Sequence, residues 1–295
     1  MSQQQLAGIL AMIAKNPSPA NATPEMRRAW VEDAFSRLPV AGNVLIERVD
    51  CGPCGGDLIL PLGGDAARLI IFYHGGGFFF CSSRTHRVVA SCLARLAGCA
   101  VLAPDYRLAP EFPAPAAHDD AFAVYRWALT QGYAAAKIAL SGDSAGGNLA
   151  LATAVRARES GIPTPCALAL MSPWLDLADE GVSHHAVADD PILSLEVLDA
   201  FKQAYLGDGD RKSSRVTPFY ADFSGLPPTL VHVGSRERLR DDAFTVTERM
   251  QADGVIAELK VFDGMCHTWQ LYAPMLEEGM ISIEECAEFV KARQS

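Results

Sequence analysis

"KIALSGDSAGGNLA", residues 137–150, passes from an apolar strand into a helix through a turn made of small residues. Gly142, Asp143, Ser144, Ala145 and Gly146 spell G-x-S-x-G. A chain of this Gly and Ser content carries that bare pattern by chance in about one case in nine, so the context must decide its meaning. A sharp strand-to-helix turn strains the serine and projects its hydroxyl past the carboxyl edge of a sheet. Glycines flank it because a Cβ at either place would meet the neighbouring strand and helix. A phosphate-binding loop would need a Lys after the glycines, and none is there.

Outward from this turn the chain alternates. "RLIIFY", "CAVLAPDY", "KIALSG" and "CALALMSP" read as strands, with helices over about 85–97, 115–131 and 145–160 between them. Near-continuous apolar strands separated by helices imply a parallel sheet buried on both faces. The rhythm resumes late with "PTLVHVG", a helix near 240–253, "AELKVF" and a C-terminal helix. Ahead of it lie "NVLIERV" and "DLILPL", spaced as a hairpin. The fold class is therefore α/β, with about eight strands, mostly parallel, flanked by helices.

Two segments fall outside the alternation. Leu6, Ile9, Leu10 and Ile13 make an apolar stripe on a first short helix, and Thr23 and Pro24 start a second. A stretch of about forty residues after the fourth buried strand combines helical spacing (Leu195, Leu198, Phe201, Tyr205) with the polar loop "GDGDRKSSR". Together these are expected to form a helical cap of residues 1–45 and 184–225. The catalytic core is then 46–183 and 226–295.

The chain of 295 residues is 49% hydrophobic and 20% charged, with a net charge of −10. That charge repels phosphate backbones and anionic headgroups, which argues against nucleic acid as a partner. No apolar run reaches the roughly 18 residues of a membrane span; the longest, at 88–104, carries Arg95. The N-terminal stretch lacks basic residues ahead of its apolar part, so no signal peptide is expected. Eight cysteines, mostly in apolar segments, suit a reducing compartment, and a cytoplasmic protein is expected.

"CGPC" at Cys51–Cys54 has the letters of a redox motif. That chemistry needs its first Cys at a helix N-terminus, whereas "GGDLIL" follows, so the motif is expected to join two strands. No partner spacing suggests a metal site, and neither a metal nor a cofactor is expected.

A serine hydroxyl needs a base. Of seven histidines, only His267 in "VFDGMCHTW" sits in a loop just after a late strand, at the sheet edge of Ser144. His232 lies within a strand, where a neutral buried imidazole is expected. The base in turn needs a carboxylate to fix its tautomer. "GSRERLRDD" offers Glu237, three residues past a strand, with Asp241 as the alternative and Asp242 beside it; the last two read as N-cap and first turn of the next helix. Serine, acid, histidine is the order expected of this fold.

These features resemble the hormone-sensitive-lipase-like (bacterial family IV) esterases of the α/β-hydrolase superfamily. The likeness rests on "HGGGF" at 74–78, "DYRLAPE" at 105–111, "GDSAGG" at 142–147, "SGLPPTLVHVG" at 224–234 and the late His267. The family's acid loop reads D-P-L-x-D; here the aligned stretch is "ERLRD", which puts Glu237 at the family position and keeps Asp241 in reserve. The resemblance also implies a cap formed by the N-terminal helices and the later insert.

Ester hydrolysis passes through an oxyanion that preorganised N–H groups stabilise. Ala145, next to the nucleophile, should supply one donor, and the resemblance implies Gly76 and Gly77 for the others. His74 is then expected to brace the glycine loop rather than act as the base. Phe78, Phe79, Phe80 and Trp269 are candidates for an apolar substrate pocket, with core packing as the alternative. Arg107 and Glu111 are expected to bind each other or nearby loops. The implied activity is a serine carboxylesterase for short- to medium-chain acyl esters. A deacetylase, lactonase or amidase on the same scaffold is the alternative, and a non-catalytic receptor a lesser one. Its partner is a small ester; an exposed edge strand near 257–262 makes a homodimer a further expectation.

Overall fold

The alternating apolar runs assemble into one eight-stranded sheet of order β1-β2-β4-β3-β5-β6-β7-β8 in a computed structural model that describes residues 2–17, 22–188 and 190–294. The chain opens with α1 (Ser2–Lys15), α2 (Pro24–Phe35), β1 (Val44–Asp50) and β2 (Gly55–Pro61). It continues through β3 (Asp65–Tyr73), α3 (Arg87–Ala97), β4 (Cys99–Pro104), α4 (Ala116–Thr130), β5 (Ile138–Asp143), α5 (Ala145–Glu159) and β6 (Ala167–Met171). The insert supplies α6 (Val182–Ala186) and α7 (Leu195–Leu206), and β7 (Thr229–Gly234), α8 (Arg240–Ala252), β8 (Ala257–Phe262) and α9 (Glu277–Arg293) complete it. This is the α/β-hydrolase fold. Only β2 runs against its neighbours; β3 through β8 are parallel.

Strand pleating sends alternate side chains to opposite faces. Leu69, Ile71, Ile138, Leu140, Leu168 and Leu170 join one core with α4, α5 and α8. Ile70, Phe72, Ala139, Ala169 and Met171 join the other, against α3 and α9. Each large side chain so buried contributes about 1.5–3 kcal/mol. Double-sided burial is why these strands read as unbroken apolar runs rather than alternating ones.

Local signals in the sequence account for several boundaries. The Thr23 hydroxyl accepts the Met26 N–H at 3.3 Å and caps α2. The Ser194 hydroxyl does the same for α7 through Val197. "CGPC" forms the turn between β1 and β2, with both thiols free and their sulfurs 3.8 Å apart. Asp241 and Asp242 both fall in the first turn of α8, whose N-cap is Leu239, so Asp241 stands two residues past the cap and not at it.

Residues of α1, α2 and α7 line the same cavity as Ser144 and His267, which follow the carboxyl ends of β5 and β8. Leu6 and Ile9 of α1 are buried in the core beside α9. Arg28 of α2 donates to the carbonyls of Phe79 (2.8 Å) and Ala109 (2.6 Å) and grips both Glu111 oxygens. Glu111 therefore pairs with Arg28 and not with Arg107, which forks onto Asp120 of α4. No helix among the described residues is long and apolar enough to cross a membrane.

Candidate active site

The turn between β5 and α5 holds Ser144 at φ +52° and ψ −121°. Such a conformation costs about 1–3 kcal/mol in a non-glycine residue and persists only when its surroundings impose it. They do. The Ser144 N–H donates to Met171 O (3.0 Å), and the Ser144 carbonyl accepts from Trp174 N (3.0 Å) and Asn148 N (3.2 Å). A Cβ on Gly142 would collide with the Gly146 and Tyr73 carbonyls, and one on Gly146 with the Tyr73 carbonyl. The flanking glycines let β3, β5 and α5 meet.

His267 follows β8 and is buried. Its Nδ1 lies 2.9 Å from Glu237 Oε2. Glu237, fully buried after β7, takes the Gly234 N–H (2.6 Å) and the Ser172 hydroxyl (2.7 Å) on its other oxygen. Burial works against the imidazolium of His267, but the hydrogen bond and charge of Glu237 outweigh it and raise the His267 pKa above the ordinary value. With Nδ1 on the carboxylate, Nε2 is the nitrogen left to exchange a proton. Asp241 is elsewhere: its carboxylate takes the Ser183 N–H at 2.8 Å. Glu237, the expected acid, is the one that meets His267.

The glycine loop follows β3. Gly76 and Gly77 have φ of +103° and +62°, and a Cβ on them would strike the Phe80 carbonyl and the Phe201 ring. Among the described residues nothing accepts the N–H groups of Gly76 and Gly77. They, Ser144 and His267 line one cavity of about 570 Å³. Ala145 opens α5 beside Ser144, in the first turn, where N–H groups lack helical acceptors.

His74 does brace this loop. Its ring stacks on Tyr106 (centroids 4.2 Å apart), its Nδ1 sits 2.7 Å from the Gly75 carbonyl, and the Tyr106 hydroxyl donates to the His74 carbonyl. Burial lowers its pKa to about 4, so it is neutral. His232 is likewise neutral inside β7, pushed down by burial to about 3.

The aromatic expectations need correction. Phe80 lines the cavity, whereas Phe78, Phe79 and Trp269 do not. Phe78, at φ +59°, turns inward and stacks on Tyr205 of α7 at 4.3 Å. Phe79 packs against Phe80 and Phe201, and its carbonyl is held by Arg28. Trp269 is fully buried against Phe262, its Nε1 donating to Glu278 O. The apolar wall comes instead from Trp30 and Phe35 of α2, Leu198 and Phe201 of α7, Trp174 and Tyr272.

One supporting residue was not singled out from the sequence. Ser172, at the end of β6 with φ +46°, donates to Glu237 and accepts the Thr268 N–H at 3.1 Å. Its position at the carboxyl edge, in "MSPW", was the only available signal.

A family profile described as α/β hydrolase fold matches residues 70–271. The chain belongs to this family. Within it, the α/β hydrolase is 36% identical to an acetyl-hydrolase of Streptomyces hygroscopicus over 99% of this chain and 97% of that one. It is 36% identical to an esterase of Acinetobacter venetianus, over 95% and 93% of the two chains. Among solved structures, an esterase from the bacterial hormone-sensitive lipase family superposes with a TM-score of 0.95 at 39% identity, covering 99% of each chain. This α/β hydrolase is a hormone-sensitive-lipase-like carboxylic ester hydrolase.

Proposed function

We propose that the protein is a serine carboxylesterase for short- to medium-chain acyl esters, working through Ser144, His267 and Glu237. The observation that carries this reading is the 2.9 Å contact of Glu237 with His267 Nδ1, set on the same cavity as a strained Ser144. His267 Nε2 takes the Ser144 proton as the hydroxyl oxygen attacks the ester carbonyl. The N–H groups of Gly76, Gly77 and Ala145 receive the oxyanion; each such donor supplies about 3–4 kcal/mol. The alcohol leaves with the proton from His267. Water then repeats the sequence on the acyl-enzyme and frees the acid.

A cavity of about 570 Å³ walled by apolar side chains suits an uncharged ester. Residues 1–45 and 184–225 act as its cap, since α1, α2 and α7 supply much of the wall. The test is Ser144→Ala with p-nitrophenyl acetate and butyrate. Turnover should vanish, and substantial retained turnover would overturn the nucleophile assignment.

A second reading, a deacetylase on the same scaffold, is favoured by the acetyl-hydrolase relative. Initial rates over a p-nitrophenyl acyl series, beside acetyl esters of large alcohols, amides and lactones, separate the two. Eight free cysteines fit a cytoplasmic setting. The outer strand β8 offers its free edge to a second copy, and sedimentation reads the resulting dimer.

A further inference from the structure

Glu237 and Arg238 are neighbours in the loop after β7, and they face different parts of the molecule. The partners of the Glu237 carboxylate, Gly234, Ser172 and His267, all follow or end core strands. Those of Arg238 lie in α6 and in the stretch leading to α7. Its guanidinium donates from Nε to the Leu193 carbonyl (2.9 Å) and from Nη1 to the His184 carbonyl (2.7 Å). Its backbone N–H donates to Asp190 Oδ2 (2.9 Å), and its carbonyl accepts the Ser183 hydroxyl (2.6 Å).

Arg238 is only 7% exposed, and an arginine so buried must place its N–H groups on acceptors. The planar fork lets one side chain hold two separate carbonyls, one on α6 and one at the start of α7. Both anchor points are themselves fixed. His184 has Nε2 2.6 Å from Asp242 of α8 and Nδ1 3.0 Å from Asp179. Leu193 immediately precedes Ser194, whose hydroxyl caps α7. The other oxygen of Asp190 takes the Ile192 and Leu193 N–H groups at 2.9 and 3.0 Å, so the turn 190–193 hangs from Arg238.

That turn carries a wall of the cavity. Pro191, Ile192 and Leu193 line the space shared by Ser144 and His267, as do Leu198 and Phe201 of α7. Arg238 is not among the lining residues. It reaches the substrate space only through the segment it holds.

We propose that Arg238 is a positioning residue that docks the insert's side of the cavity on the acid loop and sets how tightly the ester is held, with no part in its cleavage. The inference rests on the reading of this cavity as the ester site and of Ser144 as nucleophile. Because the anchors of Glu237 lie in the core, releasing the insert leaves His267 supported. Binding common to ground state and transition state is then lost, which raises KM without lowering kcat.

Arg238→Met keeps the apolar stem and the backbone N–H but removes both guanidinium bonds, and Arg238→Lys can restore one of them. For p-nitrophenyl butyrate, KM should rise about tenfold in Arg238→Met and by an intermediate factor in Arg238→Lys, with kcat within about twofold of the parent in both. Slower acylation ahead of a limiting deacylation also raises KM, so binding is read separately. In Ser144→Ala, the nitrophenyl group quenches tryptophan fluorescence, with Trp30 and Trp174 in the cavity wall, and the titration gives the Kd of the same ester. Adding Arg238→Met should weaken that Kd about tenfold. Circular dichroism establishes folding; should Arg238→Met fail to fold, Arg238→Lys carries both measurements. A folded variant with the parent's Kd, or one whose kcat falls as far as its kcat/KM, overturns the role of Arg238. Turnover surviving in Ser144→Ala would instead bring down the nucleophile assignment beneath it.

Discussion

His267 Nδ1 lies 2.9 Å from Glu237 Oε2, and the other oxygen of Glu237 is tied to Gly234 and Ser172. A carboxylate held at both oxygens cannot swing away, so it fixes the histidine tautomer and favours its charged form. Glu237→Gln keeps the shape and removes the charge. It is expected to lower kcat by about 10²–10⁴-fold, as loss of a triad carboxylate does. The pH profile gives the sharper readout. As the proposed base His267 must be neutral to accept a proton, so its raised pKa means activity should fall as pH drops through a value above that of ordinary histidine. Without the Glu237 charge that acid limb should move to lower pH. Asp241→Ala should leave both rate and limb near the parent's, because Asp241 serves Ser183; a larger loss there than in Glu237→Gln would reassign the acid.

Ser172 tests the support behind the proposed triad. Its hydroxyl ties the Glu237 carboxylate to the backbone of Thr268, the residue after His267. Ser172→Ala leaves one buried carboxylate oxygen with a single donor, a cost of about 1–3 kcal/mol. Steady-state kinetics should show kcat lowered about tenfold with KM little changed, as expected for a group that orients the acid and touches no substrate. Equal losses in kcat and stability-corrected KM would point to general disruption instead.

The frame was legible because it rests on long, repeated patterns. Strands β3 to β7 are buried on both faces, so each reads as an apolar run bounded by a turn, and the flanking helices fall within a few residues of expectation. The meeting of Glu237 with His267 was legible because each follows a late strand in a loop. The cavity wall was not. Phe78 has the composition of a pocket residue, and only its positive φ turns it onto Tyr205. Trp30, Phe35 and Tyr272 come from segments far apart in the chain, and no spacing marks them as neighbours. Arg107 and Glu111 sit four residues apart yet find partners on α4 and α2, since the chain between them is irregular rather than helical.

The anchoring of α7 should be measurable as stability. His118 donates from Nε2 to Asn148 Oδ1 (2.9 Å), because the Asn148 amide nitrogen is taken up by the Trp174 and Val216 carbonyls. Its Nδ1 must then accept, and the Tyr205 hydroxyl of α7 donates to it at 2.7 Å. Burial lowers the His118 pKa to about 4, consistent with a neutral ring in this chain of bonds. Tyr205→Phe leaves that nitrogen without a donor and should cost about 1–3 kcal/mol. Denaturant unfolding would read it as a lower midpoint at unchanged slope. An unshifted midpoint would mean that this side-chain bond adds nothing to the anchoring of α7.

Gly77 and Phe201 join the insert to the expected oxyanion site most directly. A Cβ on Gly77 would enter the Phe201 ring, and the backbone there has φ +62°. Gly77→Ala therefore introduces two separable penalties, a left-handed alanine worth about 1–2 kcal/mol and a steric clash with α7. Phe201→Ala removes only the second. If the clash is what displaces the Gly77 N–H, the double variant should recover about tenfold or more of the kcat lost in Gly77→Ala, a coupling between neighbours that independent sites would not show. Phe201→Ala alone should mainly alter KM for longer acyl chains, since Phe201 lines the cavity. Strictly additive losses in the double variant would show that backbone strain at Gly77, and not its contact with the insert, limits the site.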